Sequence, residues 1–584
     1  MPPTFPSHLL ALSGAALLLA AAARGEPPIE RLEPRVQGEE RGEPGLIAPG
    51  STAHVIQEAI LAGALQNRLS GVSDGTRVAA RRAYALRVFD PIWTREGARR
   101  LLSAFDDAEA VGLSIAPGLR QAVSDQVQHI GAQQARRAGE ADLVLTAAFL
   151  AYADARINGA TEPENVADPL ADKTSPERLG LWLARAGEGR LDHSELDPGH
   201  AEFARLTELR AHYADHAGEG GWTRLEPPGT LVEAGEREPV ITDLRTRLAE
   251  EGYEVPAPPM RTVEADAGEE TREEPDDTLF TEALSEVLKQ FQADRGLKQD
   301  GILGPRTLDA LNATPQDLIA RIDANLERWR WAPARFPERH IRVNIPAYRA
   351  RAYENGEIAV EMKAIVGLAS RKTPIVFESI EYLVANPRWY VPESILERDK
   401  LDDIRANPDY IESHDYFVLD RDSGARVPAG DIDWSAADVE EEYRLVQESG
   451  EENALGELKF IFPNRYSIYL HGTPAQHLFA ENLRSFSSGC VRIEKPLEMS
   501  DWIASHDPEL TPQEVREAVA GEELQRLELG EPVAIYTVYF TAEAGPDGNA
   551  RLHPDIYGWD AETIAALEAR PVALSEETRE GGAQ

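Results

Sequence analysis

At 584 residues the chain is longer than one hydrophobic core fills, and 100 to 200 residues per domain implies about three or four domains. Sixty Lys and Arg against 101 Asp and Glu leave a net charge of −41, a surface that repels phosphate backbones, so nucleic acid is not an expected partner. The single cysteine, Cys490, excludes an internal disulfide, a zinc-finger cluster or a thiolate-ligated iron–sulfur centre.

Residues 1–23 read as a signal peptide, because an apolar run from Leu9 ends in Ala21-Ala22-Ala23, small residues that suit cleavage. No Lys or Arg precedes the run, so an uncleaved membrane-associated segment is the alternative, although the run is short for a span. No Cys follows it to carry a lipid. A periplasmic location is expected. Residues 24–51, rich in Pro, Gly, Glu and Arg, read as a disordered linker.

From 52 to 235 the periodicity is helical: Ile56, Ile60, Leu61 and Leu65, then Leu143, Leu145, Ala148, Phe149 and Tyr152, recur at three- and four-residue spacing. This predicts a helical scaffold domain. His212 and His216 are spaced to share a helical face, but without the glutamate of a zinc-protease helix a solvated face is expected, and no metal.

Residues 239–312 form a second unit. Leu244 with Leu248, and Leu284, Val287, Leu288 with Phe291, mark two short amphipathic helices, and Gly304-Pro305 opens a third. Between the first two lies an acidic insert, 255–279, whose Arg261–Asp277 stretch reads as a disordered loop. Phe291-Gln292, Arg295-Gly296-Leu297, Asp300-Gly301, Gly304, Thr307 and Leu311-Asn312 resemble the small three-helix peptidoglycan-binding module. Most of these positions serve turns and core, so a helical spacer that no longer binds glycan stands as the alternative.

A connecting helix is expected within 313–338, capped by Thr314 with Pro315 in its first turn, its Leu318, Ile319, Ile322 and Leu326 on one face. Residues 339–545 then turn β-rich, with runs at Ile341–Ile345, Ile358–Val366, Ile380–Val384, Phe460–Leu470 and Val533–Thr541. The polar stretch 393–455 is too long for a strand connection and reads as a lid or inserted subdomain. Residues 546–584 are a C-terminal segment without assignment.

Chemistry concentrates where Tyr469-Leu-His471-Gly472-Thr473 ends a strand and Ser487-Ser488-Gly489-Cys490-Val491-Arg492 follows. A thiol attacks as thiolate and an imidazole takes its proton, so Cys490 with His471 is a candidate dyad. A glycine-containing turn bends sharply enough for the amides of Gly489 and Cys490 to meet an oxyanion, where losing one donor costs about 2.7–4 kcal/mol. The alternative, a buried structural cysteine, is the commoner fate of a free thiol. A polar Gly/Ser turn followed by Arg in an exported chain favours reactivity.

His471-Gly472-Thr473, Phe479, Arg484 and Ser487-Ser488-Gly489-Cys490-Val491-Arg492 resemble the signature of the L,D-transpeptidase catalytic domain, a β-rich fold that remodels peptidoglycan cross-links. The blocks Val366-Gly367, Arg371-Lys372-Thr373-Pro374, Asn386–Pro392, Asn453–Gly456, Lys459-Phe460 and Asp555–Gly558 resemble its large multi-domain periplasmic branch. The expected fold is a helical scaffold, a three-helix binding module and a mixed α+β catalytic domain with an inserted lid. The resemblance implies Cys490 as nucleophile, His471 as base and the Gly472 carbonyl as its orienter, with Gly489 in the oxyanion turn. Most members carry His where this chain has Ser488, which puts only a side-chain oxyanion contribution in doubt. Trp389 and Tyr469 are expected to line the donor groove, and Arg484 and Arg492 to steady the turn or meet a substrate carboxylate. His477 is expected at the surface.

The implied activity is 3–3 cross-linking of tetrapeptide stems through a Cys490 thioester, with no cofactor and with stem peptides, glycan strands and other cell-wall synthesis proteins as partners. An L,D-carboxypeptidase and a wall-binding scaffold with an inactive catalytic domain are the alternatives. A Cys–His peptidase of another fold is disfavoured because His471 precedes Cys490.

Overall fold

The caps that open the N-terminal helices are legible residue by residue. Ser51, Ser73, Thr94 and Ser175 each accept a hydrogen bond from the backbone N–H three residues on, starting Thr52–Leu61, Asp74–Leu86, Arg95–Asp106 and Pro176–Gly187. The computed structural model describes residues 47–69, 72–162, 173, 175–218, 220–263, 272–407, 409–436, 438–545 and 548–574. The expected signal peptide therefore lies outside the described residues, as does nearly all of the linker. Among the described residues no helix is long and apolar enough to cross a membrane.

Helix Ala135–Asn158 is buried along nearly its whole length, as a helix apolar on every side must be. Its polar exceptions are satisfied. Asp142 accepts from the backbone N–H of Ile92 and Trp93, each 2.9 Å from Oδ2, and from the Tyr84 hydroxyl at 2.6 Å. Asp154 accepts from the Thr76 hydroxyl at 2.8 Å. Helices Pro117–Val127 and Ala201–Gly218 complete the larger elements of this region.

Three helices, Val240–Glu250, Glu282–Asp294 and Pro305–Leu311, enclose a core of Leu244, Leu248, Leu284, Leu288, Phe291 and Leu311. The insert departs from the disordered loop expected of it. Strands β1 (Met260–Val263) and β2 (Arg272–Pro275) pair antiparallel, and the charges that argued for a solvated loop meet across the ladder, with Arg261 Nη2 2.7 Å from Glu274 Oε1. Residues 264–271 lie outside the described set. A buried knot fastens the unit to its neighbours: Glu251 is shared by Arg247, Arg295 and the Tyr213 hydroxyl, and Arg295 also donates to the Ala550 carbonyl at 2.9 Å.

Helix Pro315–Trp331, opened by a reciprocal Thr314–Asp317 capping box, is more than a connector. Trp329 stacks on Phe540 with ring centroids 4.3 Å apart, and Arg328 and Arg321 both pair with Asp560 of the C-terminal helix Trp559–Ala569. One core runs from the N-terminal helices through this helix to Val538 and Phe540, so the scaffold and the sheet share their apolar interior.

The sheet contains β3 (Arg339–Asn344), β4 (Arg349–Glu354), β5 (Glu357–Gly367) and β6 (Phe377–Ala385). The inserted region supplies β7 (Trp389–Tyr390), β8 (Tyr416–Asp420), β9 (Arg426–Val427) and β10 (Tyr443–Gln447). Beyond it come β11 (Leu458–Ile461), β12 (Leu470–His471), β13 (Ser485–Ser487), β14 (Val491–Ile493) and β15 (Gln525–Val538). The order β13-β5-β14-β12-β11-β6-β15-β3-β4, with β4 also pairing β5, closes all but β13 into a barrel without a free edge. The insertion forms its own sheet, ordered β7-β10-β8-β9, over a core including Leu396, Leu401, Ile404, Val418 and Leu445. It is a subdomain with a hydrophobic interior, and its first strand begins at Trp389, ahead of the boundary read from polarity.

Candidate active site

Strand alternation builds the site. β12 runs antiparallel to β11 and parallel to β14, with Leu470 opposite both Phe460 and Val491, and His471 opposite both Lys459 and Arg492. Leu470, Phe460 and Val491 are fully buried in the barrel core. Their alternates Lys459, Tyr469, His471, Cys490 and Arg492 therefore share the opposite face. The Tyr469 and His471 rings lie 5.6 Å apart, and the Lys459 ammonium sits 3.8 Å from the Tyr469 ring centroid.

His471 Nδ1 is 2.6 Å from the Gly472 carbonyl, which can only accept, so Nδ1 carries the proton and Nε2 keeps its lone pair. Burial, with the positive charges of Arg492 and Lys459 adding to it, pushes the imidazole down to about 3 against hydrogen bonds to the Gly472 and Leu455 carbonyls. The ring is thus a neutral base at ordinary pH. Cys490 is partly exposed, yet desolvation by the surrounding protein pushes its thiol up. Hydrogen bonds from the Tyr469 backbone and hydroxyl and the charges of Lys459 and Arg492 oppose that rise.

The turn before Cys490 is wired from both sides. Gly489 has φ +116°, a conformation open to glycine, and its N–H donates to Ser487 Oγ at 3.2 Å while Ser487 donates to the Cys490 carbonyl at 2.5 Å. Of the two amides expected to meet an oxyanion, that of Gly489 is therefore already engaged by Ser487. Thr373, fully buried, accepts from the Gly367 N–H and donates to the Gly489 carbonyl, both at 2.9 Å. The Tyr557 hydroxyl donates to the Gly367 carbonyl at 2.8 Å and accepts from the Thr373 N–H at 3.0 Å. Ser488 is exposed and accepts from Arg371 at 2.8 Å.

Tyr469 and Arg492 thus lie beside the thiol. Trp389 packs with the inserted subdomain, its aromatic neighbour being Tyr416 at 6.4 Å. Of the two roles expected of Arg484, its contacts speak against the substrate carboxylate: its buried guanidinium donates to the carbonyls of Ala364, Glu481 and Tyr348 at 3.2, 2.7 and 3.0 Å, so the fork is spent on backbone. His477 is exposed on a short turn, Gln476–Ala480. The His212 and His216 rings touch each other, His216 also touches Trp222, and among the described residues no three ligand-type side chains cluster to hold a metal. Sequence reading missed the roles of Lys459, Arg371 and Thr373. The signal for Lys459 was a cation alternating with the buried Leu458 and Phe460.

The family pattern for the L,D-transpeptidase catalytic domain matches residues 338–535, that for a scaffold domain 78–209, and that described as "Putative peptidoglycan binding domain" 237–311. A Haemophilus influenzae protein named "Putative L,D-transpeptidase" is 36% identical over 225 residues, 38% of this chain and 45% of that relative, so less than half of the relative's length is spanned. Among solved structures, an L,D-transpeptidase from Xylanimonas cellulosilytica has 14% identity and TM-score 0.16, covering 53% of this chain and all of the other. One from Mycobacterium smegmatis has 13% identity and TM-score 0.17, covering 34% of this chain and 58% of the other. Such scores add nothing to the family matches. With Cys490 and His471 both inside the matched span, residues 338–535 are an L,D-transpeptidase catalytic domain, borne on a chain that also carries a scaffold domain and a peptidoglycan-binding domain.

Proposed function

We propose that the protein is a peptidoglycan L,D-transpeptidase that forms 3–3 cross-links by two acyl transfers through Cys490. In the first, His471 Nε2 takes the thiol proton as sulfur attacks the carbonyl of the L-centre of the third residue of a tetrapeptide stem. The oxyanion meets the Cys490 amide, joined by that of Gly489 once it leaves Ser487 Oγ. The C–N bond breaks, His471 returns the proton to the leaving amine, and terminal D-Ala departs from a thioester. In the second, the side-chain amine of another stem loses its proton to His471 and attacks the thioester, restoring the thiol as the new amide forms. Tyr469 and Arg492 flank the acyl donor, and the module at 237–311 holds glycan near the site. Such chemistry belongs outside the cytoplasmic membrane, in the periplasm, consistent with the N-terminal signal reading.

The observation that carries this reading is the neutral, Gly472-oriented imidazole on the same sheet face as the chain's lone thiol. Incubation with disaccharide tetrapeptide tests it by mass. A cross-linked dimer with released D-Ala, abolished by Cys490→Ala, is the expected result. Hydrolysed monomer alone would make the protein an L,D-carboxypeptidase, and unchanged substrate would refute the catalytic reading.

A further inference from the structure

We infer that Arg371 is a positioning residue that fastens the Ser487–Cys490 turn to the inserted subdomain, so that the turn is fully set only while the subdomain is seated. The inference rests on the acyl-transfer reading above and adds to it a link between a distant subdomain and the amides of the turn.

Arg371 stands in the loop between β5 and β6, and one nitrogen of its guanidinium serves two partners. Nη1 donates to Ser488 Oγ at 2.8 Å and to Asp399 Oδ2 at 2.5 Å. Ser488 immediately precedes Gly489 and Cys490. Asp399 closes helix Glu393–Asp399, whose Leu396 is buried in the subdomain core. A carboxylate at the end of a helix is disfavoured by the exposed carbonyls there, so a cation opposite it answers a local need. The loop carrying Arg371 lies close against β5: a Cβ on Gly367 would come 2.1 Å from the Arg371 carbonyl, and a turn bond from the Arg371 N–H to the Leu368 carbonyl, 2.9 Å, shapes the loop. Two residues farther on, Thr373 holds the Gly489 carbonyl. One short loop thus grips the turn twice, and through Arg371 it also reaches the subdomain. The Arg371 and Asp399 side chains are 21% and 35% exposed, and ion pairs so open to water are weak. A weak bond suits a tie that opens when a stem peptide displaces the subdomain and re-forms when it settles.

The test is Asp399→Ala in the full chain, a change made in the subdomain and away from the thiol, with Asp399→Asn as the isosteric partner should the alanine variant fold poorly. Three rates are read: carbapenem acylation of Cys490 by mass, alkylation of Cys490 by iodoacetamide, and amide hydrogen exchange in peptides spanning 485–492. Alkylation displaces iodide and develops no oxyanion, so it is blind to the turn amides. Acylation is expected to slow about fivefold with alkylation unchanged within about twofold, and exchange at 485–492 is expected to rise. Adding Ser488→Ala should slow acylation no further, because both changes cut one tie. Unchanged acylation, an additive double variant, or a parallel fall in alkylation would overturn the inference. Should the wild-type chain resist carbapenem altogether, the functional reading fails, and the exchange measurement decides the tie alone: no rise at 485–492 refutes it.

Discussion

Replacing Thr373 by valine removes one hydroxyl and almost nothing else, which makes it a sharp probe of how the turn before Cys490 is held. The side chain is fully buried, and its Oγ1 bonds the Gly367 N–H and the Gly489 carbonyl, each at 2.9 Å. Valine preserves the volume but strands both backbone groups where water does not reach. A buried unpaired donor or acceptor costs about 1–3 kcal/mol, so the pair should cost about 2–6 kcal/mol. Serine keeps the hydroxyl and loses one methyl, for about 1 kcal/mol. Guanidinium unfolding, followed by the exposure of Cys490 to a thiol reagent, reports the catalytic domain alone, because the chain has a single thiol. The expected order is wild type, then Ser, then Val, with Val at least about 1 kcal/mol below Ser. A valine variant as stable as the serine variant would refute the claim that the hydroxyl, rather than the packing, secures the turn.

Three further predictions concern charge. With His471 pushed down to about 3 and the Cys490 thiol pushed up, no thiolate–imidazolium pair exists at rest, so iodoacetamide alkylation should climb about tenfold per unit between about pH 6 and pH 8. A rate flat across that window would contradict a neutral dyad. The same depressed imidazole means that the unfolded chain binds a proton first, near 6.5, so His471 stability is complete above that value and drains away as pH falls toward 3. Arg484→Gln should lower catalytic-domain stability by about 3 kcal/mol, since it strips charged donors from three backbone carbonyls. Its carbapenem acylation rate, measured below the melting range, should stay close to wild type, and a loss of acylation at unchanged stability would restore Arg484 to the substrate.

Much of the fold was legible because its signals are local. Helical spacing from Ile56 to Tyr152 and the Thr314-Pro315 start each reflect forces between residues a turn apart, and the structure has helices at both. The pairing of β1 with β2 was illegible because opposite charges look like solvated chain until a register brings Arg261 to Glu274. The long strand β15 begins at Gln525, eight residues before the apolar run that announced it, because its first half is an amphipathic ribbon paired with β6.

The site divides in the same way. By itself the sequence determined the chemistry available: one thiol, one histidine at the end of a strand, and a glycine turn that bends where other residues cannot. Tertiary structure decided which neighbours act on that chemistry, because alternation and register across β11, β12 and β14 bring Lys459 to Tyr469 and His471 to Arg492 from separate strands. It also spent the Arg484 fork on backbone carbonyls, and tied Ser488 through Arg371 to Asp399. Spacing along the chain cannot carry such facts, since hydrogen bonds and desolvation act over a few ångströms of space and take no account of sequence distance.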